Sequence, residues 1–252
     1  YLGRGRVQGV REAIMRVGPA AARQVALSAA LDALVDVQAR RLPATLGPIC
    51  RRQWIHALTV AQSAGWLTMV VRRGDVEHAY LAGLLHDIGK LAALQALPRL
   101  TSEVLPDELV DTLLEDCHVE VGGLVASAWR LPNFVISVIS DHHERPEAND
   151  QVETHLVRLC SGLDEIRSNP RHHMGLAGKV LDTAAQLGVS NQGLRALVTQ
   201  LREADARASQ QRVPSQSPRM PPRRGTTTAT PVPAPAPVRV APRSAPPEAQ
   251  AQ

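Results

Sequence analysis

The run Ala79-Tyr80-Leu81-Ala82-Gly83-Leu84-Leu85-His86-Asp87-Ile88-Gly89-Lys90-Leu91 sets the reading of the whole chain. It contains no proline and no β-branched run, and it is apolar on most helical faces up to His86. Such a segment reads as a central helix rather than a surface one. The helical pattern covers Ala79 to Leu94. Toward its end stand an imidazole, a carboxylate and an ammonium (His86, Asp87, Lys90). Burying these groups is costly unless they pair with one another or bind a metal. The stretch therefore predicts a helical core with a polar chemical centre set into it.

Outward from this run the pattern stays helical. Leu27, Leu31, Leu34 and Val35 fall at helical spacing, and Ile55, Leu58, Gln62 and Trp66 mark one stripe of another helix. Further helices fit Val119 to Trp129, then a segment opened by Pro132 and running through Phe134, Val135, Val138 and Ile139. Three more fit Val152 to Ile166, Met174 to Leu187 and Gly193 to Arg207. Asn169-Pro170 breaks the chain between the first two of these. Gly188 suits a C-terminal cap, and Ser190 or Asn191 an N-terminal one. Few stretches alternate with period two, and no internal repeat is visible. The expected fold class is all-α, a helical bundle over residues 1–208.

Residues 209–252 differ in composition. They hold eleven of the 19 prolines, six arginines and one acid, Glu248, so this tail carries +5 of the chain's net charge of +4. The remaining 208 residues hold 22 bases against 23 acids. A basic nucleic-acid surface on the folded part is therefore not indicated. The Pro/Ala/Arg-rich tail cannot bury enough apolar surface to offset its ordering entropy and is expected to be disordered. Its arginines are scattered rather than blocked, which disfavours a nucleic-acid arm. No apolar run approaches the ~18 residues of a spanning helix, and the given residues show no secretory signal, which a fragment opening at Tyr1 could have lost with its start. Cys50, Cys117 and Cys160 are odd in number without paired spacing, so a reducing, cytoplasmic setting is expected. The chain opens at Tyr1, not Met, and is read as a fragment.

Of nine histidines, His56, His86, His118, His142 and His143 need explaining. Taken singly each is commonplace. His56 beside Trp54 and Ile55 reads as a partly buried helix residue. His142-His143-Glu144 reads as a solvated helix end, as His172-His173 does. Together they place His or His-Asp at the end or start of four separate helices, each beside an apolar face. Imidazoles and a carboxylate converging from several helices make a divalent-metal site in a bundle core. His56, His86, Asp87, His118, His142 and His143 are the expected ligands, and His78, His155, His172 and His173 are expected to stay apart. Lys90 is one of only two lysines beside 26 arginines. Its compact ammonium suits a phosphate oxygen next to a metal.

The segments Ala82-Gly83-Leu84-Leu85-His86-Asp87-Ile88-Gly89-Lys90-Leu91, His118-Val119-Glu120-Val121-Gly122 and Trp129-Arg130-Leu131-Pro132 resemble the HD superfamily of metal-dependent phosphohydrolases. More narrowly they resemble the HDOD (HD-related output) domain. Arg11-Glu12-Ala13-Ile14 with Val17-Gly18 resembles that family's early helix. The likeness spans roughly residues 1–190 and implies that the N-terminal part of the domain precedes Tyr1, leaving an apolar face near Leu27 to Val35 without a partner. It maps one metal site to His56, His86 and Asp87, and a second to Asp87, His118, His142 and His143. Asp87 would bridge the two ions and Lys90 would stabilise charge on a phosphate. The late aspartate of the first site falls on Ser161, within Leu159-Cys160-Ser161-Gly162-Leu163, and Asp164 follows three residues on. The Gly-Tyr-Pro element of the cyclic-dinucleotide phosphodiesterases is absent, with Arg145-Pro146-Glu147-Ala148 after Glu144. Arg52 stands where a third-metal carboxylate would. The resemblance implies a regulatory output module of bacterial signal transduction acting on signalling protein partners. The alternative is a metal-dependent phosphohydrolase acting on a phosphoester or nucleotide.

Overall fold

The computed structural model describes residues 9–168 and 173–210. Among the described residues there is no strand, and the chain is all-α. The helices are α1 (Val10–Val17), α2 (Pro19–Arg41), α3 (Leu46–Val71), α4 (Val76–Leu85), α5 (Ile88–Leu100), α6 (Asp107–Trp129), α7 (Asn133–Asp141), α8 (Val152–Ser168), α9 (His173–Leu187) and α10 (Asn191–Gln210). Asn169-Pro170, His172 and the tail beyond Gln210 lie outside the described residues.

Two expectations are corrected. The apolar run from Ala79 to Leu94 is two helices rather than one, with His86 and Asp87 in the turn between α4 and α5. Successive residues of one α-helix point about 100° apart. A break there is what lets neighbouring His86 and Asp87 face a common point. The helix expected from Val119 starts at Asp107 instead. Its first half is rich in acids, but Val110, Leu114, His118, Gly122 and Ala126 form one buried stripe at four-residue spacing. His118 and His56 consequently sit in the middle of helices, not at their ends.

The caps follow local chemistry. The Asp75 carboxylate accepts from the backbone N–H of Glu77 (2.8 Å) and His78 (2.9 Å) at the start of α4. Gly188 adopts φ +69 after α9, and Ser190 Oγ accepts from Gly193 N–H at the start of α10.

Helix α3 organises the rest, packing against α2, α4, α5, α8 and α10. On one side Val60 and Leu67 meet Leu156, Leu159, Leu197 and Leu201. On the other, Ile49, Trp54 and Leu58 meet Leu94, Val110 and Leu114. The α3–α4 contact is close enough that a Cβ on Gly83 would lie 2.8 Å from Ala61 Cα. In α2, Val35 is buried and Leu31 partly so, while Val25, Leu27 and Leu34 are exposed, as are Val10 and Met15 of α1. No helix among the described residues is long and apolar enough to cross a membrane. Cys50, Cys117 and Cys160 are all free thiols.

Candidate metal centre

Four parts of the fold meet at one point. His56 comes from the middle of α3, His86 and Asp87 from the α4–α5 turn, His118 from the middle of α6, and His142 and His143 from the end of α7. Ligand atoms of Asp87, His118, His142 and His143 lie within 4.8 Å of one another, and so do those of His56, His86 and Asp87. All six expected residues are in these two groups, and Asp87 is in both. Glu144 is exposed. His78 stacks on Phe134 with ring centroids 4.3 Å apart, and His155 lies against Arg158; neither joins the cluster. His172 and the His173 side chain are outside the described residues.

The ring orientations are set from behind. The Nδ1–H of His86 donates to the Gly83 carbonyl (2.8 Å), that of His118 to the Glu115 carbonyl (2.9 Å) and that of His142 to the Val138 carbonyl (2.9 Å). His56 Nδ1 donates to the Asp164 carboxylate at 2.7 Å. A neutral imidazole that donates through Nδ1 presents a lone pair at Nε2. These Nε2 atoms all face Asp87, at 3.9 Å for His56, 3.5 Å for His86, 3.5 Å for His118 and 3.4 Å for His142. His143 Nε2 stands 3.0 Å from His118 Nε2.

Apart from the Lys90 ammonium beside Asp87 Oδ2, the centre gathers acceptors without donors between them. Buried His86 Nε2, His142 Nε2 and Asp87 Oδ1 have no hydrogen-bond partner. Buried polar atoms are ordinarily satisfied, and imidazole lone pairs that face the two oxygens of one carboxylate, His86 at Oδ2 and His142 at Oδ1, suit a cation on either side of it. The donor set of imidazole nitrogens and one carboxylate suits a borderline divalent ion.

Lys90 is almost fully buried, with its ammonium 2.9 Å from Asp87 Oδ2 and 2.7 Å from Glu115 Oε1. Burial alone would lower its pKa, but Asp87 and Glu115 outweigh that and raise it, so the ammonium stays charged. Burial likewise opposes ionisation of Asp87, and Lys90, His86 and His142 overcome it, holding the carboxyl well below its ordinary range. Burial pushes the His86 imidazole down to about 3 and that of His143 to about 2. Both imidazoles are neutral at neutral pH.

A pH dependence follows. The unfolded chain protonates these histidines near 6.5 while the folded one resists, so between about pH 6.5 and 3 the unfolded state binds more protons. Their contribution to stability is complete above about 6.5 and is lost as pH falls toward 3. His118 is lowered too and acts in the same sense, while His56, raised by Asp164, opposes it. In chelator, the thermal midpoint should drop steadily from pH 7 to pH 4. A flat profile over that range would contradict the buried neutral imidazoles.

Three participants were not assigned from sequence. Glu115 closes the Lys90 ion pair. Asp164, one turn beyond Ser161 on α8, does not replace the missing carboxylate; it binds the far nitrogen of His56 and is itself held by Arg167 (2.8 Å). The Asp164 carboxylate fixes both the tautomer and the direction of His56. Asp164→Ala should weaken a metal ion at the His56 group by about 10–100-fold and leave the His118 group unchanged. Asp164→Asn, whose carbonyl still accepts from Nδ1, should recover most of the loss in a metal titration. The third is a small pocket of about 10 Å³, room for roughly one water, beside His142 and His143 and lined by Arg158, Ser161, Glu165 and Lys179. Lys179 Nζ donates to the His143 carbonyl at 2.5 Å.

A family model for the HDOD domain matches residues 1–145. The chain belongs to the HDOD family. The match takes in every expected ligand from His56 to His143 of this HDOD chain, whereas Ser161 and Asp164 lie past its end. An uncharacterized protein of Treponema pallidum is 27% identical over 154 residues, which is 56% of this chain and 28% of that protein. Ribonuclease Y of Enterococcus faecalis is 32% identical over 116 residues, 46% of this chain and 18% of that enzyme. The HDOD chain thus spans less than a third of the length of these curated relatives. The crystal structure of a Shewanella amazonensis protein, described as a metal-dependent phosphohydrolase, shares the fold. It has a TM-score of 0.63 at 20% identity and covers 82% of this chain and 75% of that one.

Proposed function

We propose that this HDOD domain binds divalent metal at two adjacent positions bridged by Asp87 and hydrolyses a phosphoester or nucleotide there. The observation that carries this reading is the pair of unpartnered buried nitrogens, His86 Nε2 facing Asp87 Oδ2 in one ligand group and His142 Nε2 facing Asp87 Oδ1 in the other. Bound there, a divalent cation supplies Lewis acidity to a phosphoryl oxygen and lowers the pKa of water. The chain's own groups do the rest. Four Nδ1–H donors lock the rings so that every Nε2 faces inward. Lys90 keeps Asp87 ionised. Its ammonium reaches a phosphate oxygen only by releasing Glu115, whose side chain is half exposed. Lys179 places positive charge beside His143, whose carbonyl it holds, while buried Arg158 is paired with Asp150.

The similarity to ribonuclease Y supports a phosphodiester as substrate. The balance of 22 bases and 23 acids before residue 209 favours a small diester over a folded nucleic acid. Three unpaired cysteines accord with a reducing, cytoplasmic setting. The test is release of nitrophenolate from bis(p-nitrophenyl) phosphate by the purified chain with manganese. Turnover that disappears with chelator and in His142→Ala is expected; metal-loaded protein that cleaves neither this diester nor the monoester sinks the hydrolase reading.

A second reading is favoured by Ser161, which stands where the resemblance requires a carboxylate. In it the domain is a regulatory output module that holds metal for structure and acts through signalling protein partners. Metal uptake without hydrolysis is the outcome that selects it.

A further inference from the structure

Ser161 is buried, and its Oγ has two neighbours, Glu165 Oε1 at 3.0 Å and His56 Nε2 at 3.4 Å. A serine hydroxyl has one proton to give. The ionised carboxylate is the nearer and the stronger acceptor, so the proton lies toward Glu165. Ser161 Oγ then turns a lone pair toward His56 Nε2, whose own proton is on Nδ1 and committed to Asp164. This is one more pair of facing acceptors, on the side of the centre where His86 Nε2 and Asp87 Oδ2 also converge. Donors each about 2.0–2.2 Å from one ion and at right angles to each other stand about 3 Å apart. The observed spacing of 3.4 Å is close to that.

We propose that Ser161 and Glu165 together stand in for the missing aspartate: Ser161 Oγ is the fourth protein donor of the His56 group, and Glu165 accepts its proton. The inference rests on the metal-centre reading above and adds to it an order of loading. The His118 group has three imidazoles and Asp87 on its own. The His56 group has two imidazoles, the same shared Asp87 carboxylate and a neutral hydroxyl oxygen in place of a third imidazole, so at equal charge it has the weaker donor set and binds its ion more weakly. The centre fills in two steps, the His118 group first.

The experiment is a manganese titration of the full chain, with free ion followed by electron paramagnetic resonance and the fold followed by circular dichroism. Wild type should take up two equivalents whose affinities differ by about 10-fold or more. Ser161→Ala and Glu165→Ala should each weaken only the second equivalent, by about 10–100-fold. Ser161→Asp should tighten it, and His143→Ala should weaken only the first. A second equivalent unaffected by Ser161→Ala overturns the proposal, as do two equivalents of equal affinity in wild type. Loss in Glu165→Ala but not in Ser161→Ala assigns the ion to Glu165 directly and overturns the serine role. In all three cases the metal centre itself still stands. Wild-type protein that takes up no manganese overturns both the centre and this inference. Glu165 is only partly buried, so Glu165→Ala tests the acceptor role even where a change at Ser161 disturbs packing.

Discussion

Asp87→Ala should abolish uptake of both metal equivalents. Asp87 is the one residue shared by the two ligand groups, and four imidazoles direct Nε2 at its carboxylate from 3.4–3.9 Å. Without it each group keeps only neutral donors and loses its one negative charge. A ligand present at 100 times its Kd stabilises the folded state by about 2.7 kcal/mol. For a domain of this size that is a rise in midpoint of roughly 5–10 °C. Wild type should show such a rise with manganese, and the variant none. The metal-free variant should also be weaker than metal-free wild type. Lys90 remains buried with only the half-exposed Glu115 to balance it, and breaking a buried pair costs up to about 3–5 kcal/mol. Asp87→Ala/Lys90→Met removes the stranded charge and should recover part of that loss without restoring metal uptake. Differential scanning fluorimetry with and without manganese separates the two effects. A variant that still gains several degrees on adding metal would remove Asp87 from the centre.

The helical class was legible because the apolar residues recur at helical spacing through almost the whole body, and because Gly188 and Ser190 carry their cap chemistry locally. The break between α4 and α5 was not. Residues 79–94 are apolar on nearly every face, so periodicity holds no mark of a change in direction, and no Gly or Pro stands between Leu85 and Ile88 to signal the turn. The first half of α6 was hidden for the opposite reason. Asp107, Glu108, Asp111, Glu115 and Asp116 make it look solvated, and only Val110 and Leu114 point inward. The stripe becomes visible when His118 is counted as a buried residue rather than a polar one.

The site divides in the same way. His86-Asp87 next to an apolar run is a local signal, since such groups need partners when buried. Asp164 is different. Which nitrogen of His56 it meets depends on how α8 lies across α3, and nothing within α8 specifies that. Its proximity to Ser161 in the sequence invited a role as substitute ligand, whereas three residues of helix place it behind the imidazole instead. Glu115 likewise becomes part of the centre only because α6 brings it to Lys90 of α5.

Gly89→Ala should unfold the domain or cost it more than 10 °C in midpoint. A Cβ at this position would lie 1.9 Å from the His118 carbonyl oxygen and 2.7 Å from Gly122 N. Both are backbone atoms of α6, so no side chain can rotate away, and α5 and α6 would have to part. Overpacking a core costs about 1–3 kcal/mol where side chains can adjust. Here the displaced element is a whole helix that carries His118, and a domain has only about 5–15 kcal/mol in total. The same glycine follows Asp87 by two residues, so a shift large enough to admit a methyl also separates Asp87 from His118, now 3.5 Å apart. Any folded fraction should therefore have lost metal affinity. Gly123→Ala is the control. It lies on α6, the helix that Gly89 of α5 meets, with nothing within 4 Å of its Cβ position. Helix propensity alone should make it neutral or stabilising by up to about 1 kcal/mol. Thermal melts of the two variants, with manganese binding measured on whatever folds, decide the matter. A Gly89→Ala protein that melts and binds metal like wild type would mean that α5 and α6 do not approach as closely as the Gly89–His118 contact requires.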